Sequence, residues 1–137
     1  MSQSDDFVDH EMEPAPDLNR ITNAIIGAAI AVHKALGPGH LESAYEEAMA
    51  IEFEFRGIPF NRQLPIELLY RGRPVGHGRL DFLVEDRVVL DLKAVESISA
   101  THRTQMISYL KITKLRLGLI INFNVTVLTQ GVRRLAN

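Results

Sequence analysis

Residues 87–93 read Arg-Val-Val-Leu-Asp-Leu-Lys, an apolar strand that carries an acid and an ammonium two residues apart. On a strand, Val88, Leu90 and Leu92 share one face, and Val89, Asp91 and Lys93 share the other. Burying charge is costly unless it is paired or bound to metal. Asp91 and Lys93 therefore read either as a salt bridge at a strand end or as part of a cation site. The second reading needs another carboxylate, and Asp81 supplies one on the preceding strand, in Arg-Leu-Asp-Phe-Leu-Val. Loop length decides whether the two acids meet. A two-residue loop at Glu85-Asp86 pairs Val84 with Arg87 and puts Asp81 and Asp91 on opposite faces. A three-residue loop pairs Val84 with Val88 and sets Asp81 opposite Asp91, on one side with Lys93. The sequence predicts the second register. Like charges directly opposite destabilise a sheet alone but become useful around a divalent cation.

Other candidates are weaker singly. Glu42 falls in the first turn of a helix, where a carboxylate suits the positive dipole end; it is also a candidate metal ligand, direct or through water. Glu46, one turn on, is a poorer one. Tyr45 lies on the apolar stripe of the same helix. Gln105 and Tyr109 stand at i and i+4 on a later helix, with His102 three residues before, so the three share a face. They read either as a polar helix edge or as hydrogen-bond donors beside the acids. His33 reads as a helix-end histidine, and His77, between Gly76 and Gly78, as turn chemistry.

The elements that must position these residues follow from periodicity. Residues 18–36 repeat Ile21, Ile25, Ala28, Ala29 and Val32 at helical spacing, with Asp17 or Asn19 as a cap and Gly37-Pro38-Gly39 as the stop. A second helix spans about 41–56, ended by Gly57. Strands are expected over 62–70, 75–84 and 87–93, with Arg71-Gly72-Arg73-Pro74 a turn. Ser99 or Thr101 caps a third helix to about 113. Residues 115–123 form a doubly buried strand, and 125–134 a last strand. This order gives an α/β (α+β mixed) fold with a central mixed β-sheet flanked by helices, in which the third helix crosses between parallel strands.

The chain has 137 residues, which fits one domain. It has no cysteine, which excludes disulfide scaffolds, thiolate zinc sites and cysteine nucleophiles and fits a reducing cytoplasm. No apolar run is long enough to span a membrane. The net charge is -2, but Asp5, Asp6, Asp9, Glu11, Glu13 and Asp17 sit in residues 1–17 with no Lys or Arg. Residues 1–17 read as an acidic tail and 18–137 as a single, mildly basic domain, a balance that suits a polyanionic partner.

Gly39-His40-Leu41-Glu42-Ser43-Ala44-Tyr45, followed by Asp81 and by Asp91-Leu92-Lys93, resembles the GxxExxY protein family of the PD-(D/E)XK nuclease superfamily over roughly residues 18–135. Gln105-x-x-x-Tyr109 is also similar to a motif of RecB-like exonucleases. One departure is Asp91, where this family more often carries Glu. The resemblance implies a restriction-endonuclease-like core: a helix, a three-stranded antiparallel meander, a helix and a further strand. It implies a nuclease using Mg²⁺ or Mn²⁺, with Glu42, Asp81 and Asp91 as metal ligands and Lys93 orienting water or stabilising the phosphorane. Gln105, Tyr109, Tyr45 and Arg79 would support the site or hold substrate, with Arg103 and Lys111 as further phosphate contacts. The expected partner is nucleic acid, DNA in preference to RNA, and the chain's size allows a homodimer. Two alternatives stay open: a catalytically silent module binding nucleic acid or protein, and a hydrolase of another phosphoester.

Overall fold

The computed structural model describes residues 16–137. Three helices and five strands follow in the order α1 (Pro16–Leu36), α2 (Glu42–Arg56), β1 (Phe60–Tyr70), β2 (Arg73–Val84), β3 (Val88–Lys93), α3 (Ala100–Thr113), β4 (Leu117–Asn122) and β5 (Val132–Ala136). The strands form one sheet in the order β1-β2-β3-β4-β5. β1, β2 and β3 make an antiparallel meander, α3 crosses over so that β4 runs parallel to β3, and β5 returns antiparallel. Every residue of β4 is buried, and so are all of β3 except Lys93. That explains their near-continuous apolar sequence.

Helices cover both faces. α1 buries Leu18, Ile21, Ile25, Ala28, Ala29 and Val32, and α2 buries Tyr45, Met49, Ala50 and Phe53. These pack on Phe82, Val84, Val88, Leu90 and Leu92. Phe53, Phe60 and Phe82 meet there with centroids 5.4–5.6 Å apart, and burying each ring contributes roughly 1.5–3 kcal/mol. On the opposite face Met106 and Leu110 of α3 pack on Leu80, Val89, Ile120 and Leu135. α3 approaches β4 closely because Gly118 has no side chain to meet Met106. The Ser99 hydroxyl caps α3 by accepting from the His102 N–H, while His102 Nδ1 accepts from the Ser99 N–H. His102 is thus committed to the cap.

Several boundaries differ from the sequence reading. Arg71 and Gly72, with φ of 50° and 79°, form the hairpin turn alone, so Arg73 and Pro74 already belong to β2. His77 pairs with Glu67 within the sheet and is not in a turn. His33 is buried, with Nε2 2.8 Å from the Val125 carbonyl oxygen, so it ties α1 to the segment after β4. The last strand begins only at Val132, because a 3₁₀ turn at Leu128–Gly131 takes up the preceding residues. Asp17 lies in the first turn of α1 and pairs with Arg87; the rest of the acidic tail lies outside the described residues. Among the described residues no helix is long and apolar enough to cross a membrane.

A Cβ at Gly131 would run into the Asn122 carbonyl oxygen, which is backbone and cannot rotate away. Gly131→Ala is expected to cost about 1–3 kcal/mol. Urea denaturation checks this; an unchanged midpoint would contradict the close packing.

Candidate active site

The site forms where β2 and β3 part. Their register runs through Val84↔Val88, Leu83↔Val89 and Phe82↔Leu90, around the three-residue turn Glu85–Arg87. That is the register read from the sequence, and its continuation brings Asp81 opposite Asp91. Pairing stops at Phe82↔Leu90, however. The Leu92 N–H, just past it, donates instead to Asp81 Oδ2 at 2.9 Å. The Asp81 side chain takes the place of a backbone acceptor.

A local inversion of side-chain facing in β2, without a change of register, makes this possible. Phe82 and Val84 belong to the core under α1 and α2, whereas Leu80 belongs to the core under α3. Residues two apart on a regular strand share a face, so the alternation inverts at Asp81. β1 inverts at the same level: Phe60 packs with the first core, Leu64 and Ile66 with the second. Gln63 has φ of 54°, and neither Gln63 nor Asp81 appears in the β1–β2 pairing. The distortion works as a bulge does, re-aiming one side chain. Gln63 is anchored there by donating to Glu46 Oε1 at 2.8 Å. Glu46 also accepts from Arg62 Nε at 2.8 Å, so its carboxylate is spent on holding β1 at this inversion.

The resulting cluster is electrostatically tense. Asp91 is buried, and its Oδ2 lies 3.0 Å from Lys93 Nζ. Burial pushes the Asp81 carboxyl up to about 8; its hydrogen bond to Asp91 and the Asp91 charge act in the same sense, against the Leu92 N–H. Burial opposes the Lys93 charge, but Asp91, then Glu42 and Asp81, more than offset it and hold the ammonium above its ordinary value. Glu42, at the start of α2, is raised by desolvation and by Asp91 and Glu46, with Lys93 opposing. Glu42 is thus within electrostatic range of the cluster although the residue is largely exposed. Tyr109 is raised by burial and by Asp91, and the Arg79 backbone hydrogen-bonds its hydroxyl.

Supporting residues divide by what they touch. Tyr45 is fully buried; its hydroxyl donates to the Gly37 carbonyl at 2.6 Å and accepts from the His40 N–H at 3.2 Å. Its ring stacks on Phe123 at 4.4 Å. Tyr45 thus fixes the turn that leads into Glu42 and does not itself reach the acids. Gly78 leaves room for the Tyr109 ring, which lies 3.0 Å from where a Cβ would stand. Gln105 is exposed and lines a groove beside the cluster without hydrogen-bonding Asp81, Asp91 or Lys93. Arg79 is exposed on β2. Asn122, which the sequence reading passed over, is buried opposite Lys93. Its Oδ1 accepts from the Val95 and Asn124 N–H groups, and its Nδ2 donates to the Val95 carbonyl at 2.8 Å. It holds the chain as it leaves Lys93. The signal was present: Asn122 is a polar residue inside the apolar run 117–123.

Among the described residues no group of three or more His, Asp or Glu side chains is assembled to hold a metal ion. Asp81 and Asp91 meet, and Glu42 stands off. This donor set still fits a small hard cation. Mg²⁺ retains several waters and is commonly held by one or two carboxylates. A cation would also supply the charge relief that Asp81 otherwise obtains by staying protonated.

A family model described as the PD-(D/E)XK nuclease superfamily matches residues 19–135. No curated protein and no solved structure matches the chain.

Because Asp81 is raised above its unfolded value, the folded chain holds a proton that the unfolded chain releases. Its contribution to stability is full below the ordinary Asp range near 4 and is lost as pH rises towards 8. In chelator, wild-type stability relative to Asp81→Asn is expected to fall across that window. Denaturation at a series of pH values checks this; a constant or rising difference would contradict it.

Proposed function

We propose that this chain, which belongs to the PD-(D/E)XK nuclease superfamily, hydrolyses phosphodiester bonds of nucleic acid, DNA in preference to RNA. The observation that carries the proposal is the convergence of Asp81, Asp91 and Lys93 where the sheet opens. Within the superfamily, the segment Gly39-x-x-Glu42-x-x-Tyr45 favours the GxxExxY proteins.

Asp81 and Asp91 would hold Mg²⁺ or Mn²⁺, with Glu42 reaching it through water. When bound, the cation supplies an activated water and charge relief on the phosphoryl oxygens. Lys93 contributes a fixed positive charge. Asp91 keeps it protonated, so it suits stabilising developing negative charge or orienting water better than abstracting a proton. Tyr109, whose hydroxyl is also held neutral, can donate to the same phosphate. Tyr45 and Asn122 hold the ends of the segments that carry Glu42 and Lys93. Arg79, exposed on β2 two residues before Asp81, would contact a phosphate of the bound strand.

Cleavage of single-stranded, duplex and branched DNA and RNA in Mg²⁺ or Mn²⁺ tests this. Lys93→Ala and Asp91→Ala are each expected to lower the rate by about 100-fold or more, and chelator to abolish it. Cleavage that survives both substitutions would overturn the assignment. Binding without cleavage in either metal would instead favour a catalytically silent binding module.

A further inference from the structure

Beside the carboxylates a groove of about 360 Å³ runs between α3 and the outer half of the β1–β2 hairpin. Thr104, Gln105, Ser108 and Tyr109 line one wall, and Leu68 and Gly76 the other. Gly78 of β2 also lines it and stands three residues before Asp81 on the same strand, so the groove leads towards the carboxylates. We infer that this groove is a track for single-stranded nucleic acid that seats an unpaired nucleotide next to Asp81 and Asp91. The ligand class rests on the nucleic-acid reading above; the inference does not depend on cleavage.

Charge is the first argument. α3 carries Arg103 and Lys111 and no acidic residue, and Lys114 follows it. At the outer end of the hairpin Arg71 and Arg73 flank Tyr70, whereas Arg79, next to Leu80, and Glu67, next to Ile66, point to the opposite face. α2, across the sheet, carries Glu42, Glu46, Glu47, Glu52 and Glu54 against Arg56. The groove therefore lies between basic elements, which draw a polyanion to it.

Shape and chemistry narrow the ligand. The groove is at the small end of ligand sites, which run ~300–1,000 Å³, so it admits a nucleotide and not a double helix. The Thr104, Gln105 and Ser108 side chains make no internal hydrogen bond and are exposed. They can pair with base edges that only an unpaired base presents. Leu68 and the bare Gly76 supply an apolar wall for a base face. At the hairpin end Tyr70 is 65% exposed, with the Arg71 guanidinium 5.9 Å from its ring centroid. An exposed aromatic backed by arginine is a stacking platform for the next base.

Fluorescence anisotropy in chelator tests this with the full chain, using a labelled twelve-nucleotide oligothymidylate and a mixed-sequence duplex of the same length. The single strand is expected to bind about tenfold more tightly or better. Gly76→Leu fills the groove without adding charge, where a Cβ meets only Leu68 at 3.8 Å. Thr104→Glu and Ser108→Glu change exposed positions of α3 and secure the result should Gly76→Leu not fold. Each variant is expected to weaken single-strand binding about tenfold and leave duplex binding within about twofold. Equal affinity for both ligands, no binding to either, or folded variants that bind as wild type would overturn the groove. Cleavage lost through Lys93→Ala but indifferent to the groove variants would refute the groove alone. Groove-dependent binding with no cleavage in either metal would refute the nuclease reading and leave the groove standing.

Discussion

Two carboxylates share one partly buried place, and one ammonium in contact with Asp91 is their nearest compensation. Asp81 and Asp91 meet because β2 and β3 stay in register up to Phe82↔Leu90 and then separate. A regular sheet would put the two acids face to face at a cost. Here the Leu92 N–H gives Asp81 a partner, Lys93 gives Asp91 another, and a proton on Asp81 reduces the repulsion that remains. Much of the surrounding structure keeps that arrangement in place. Glu46 and Gln63 hold β1 where its facing inverts, Asn122 fixes the exit from β3, and Tyr45 fixes the entry to α2.

The same arrangement gives the molecule two unlike sides. α2 is acidic and contributes Glu42 to the rim of the cluster, while the hairpin and α3 are basic and border the groove. The opening between β2 and β3 lies where the two meet. In the proposed function a cation would be attracted by the acids and a polyanion by the basic residues beside them, the adjacency that metal-assisted phosphodiester hydrolysis requires.

Much of this was legible in the sequence, for definite reasons. Strand alternation has a period of two, so a turn one residue longer moves Asp81 from one face to the other; the turn Glu85–Arg87 settles the register. Helix spacing located α1, α2 and α3, and Ser99 marked the start of α3. The inversion of facing at Gln63 and Asp81 was not legible. A left-handed φ is usually announced by Gly or Asn, and here tertiary contacts with Glu46 impose it on a glutamine. The late start of β5 was hidden similarly, since Val125 and Val127 satisfy a strand pattern while the chain turns at Leu128–Gly131. Asn122 was masked by its apolar neighbours. Tyr45 reads as core from its stripe, which it is, but its hydroxyl contact with Gly37 emerges only once the turn is built.

In the proposed function, Asp81 and Asp91 together hold one divalent cation. Paramagnetic broadening by substoichiometric Mn²⁺ in amide NMR spectra of the full chain tests it most directly. Early loss of the Asp81, Asp91, Leu92 and Lys93 signals is expected, reversed by Mg²⁺ and absent in Asp91→Asn. Unaffected signals, or broadening centred on the acidic surface of α2, would contradict it.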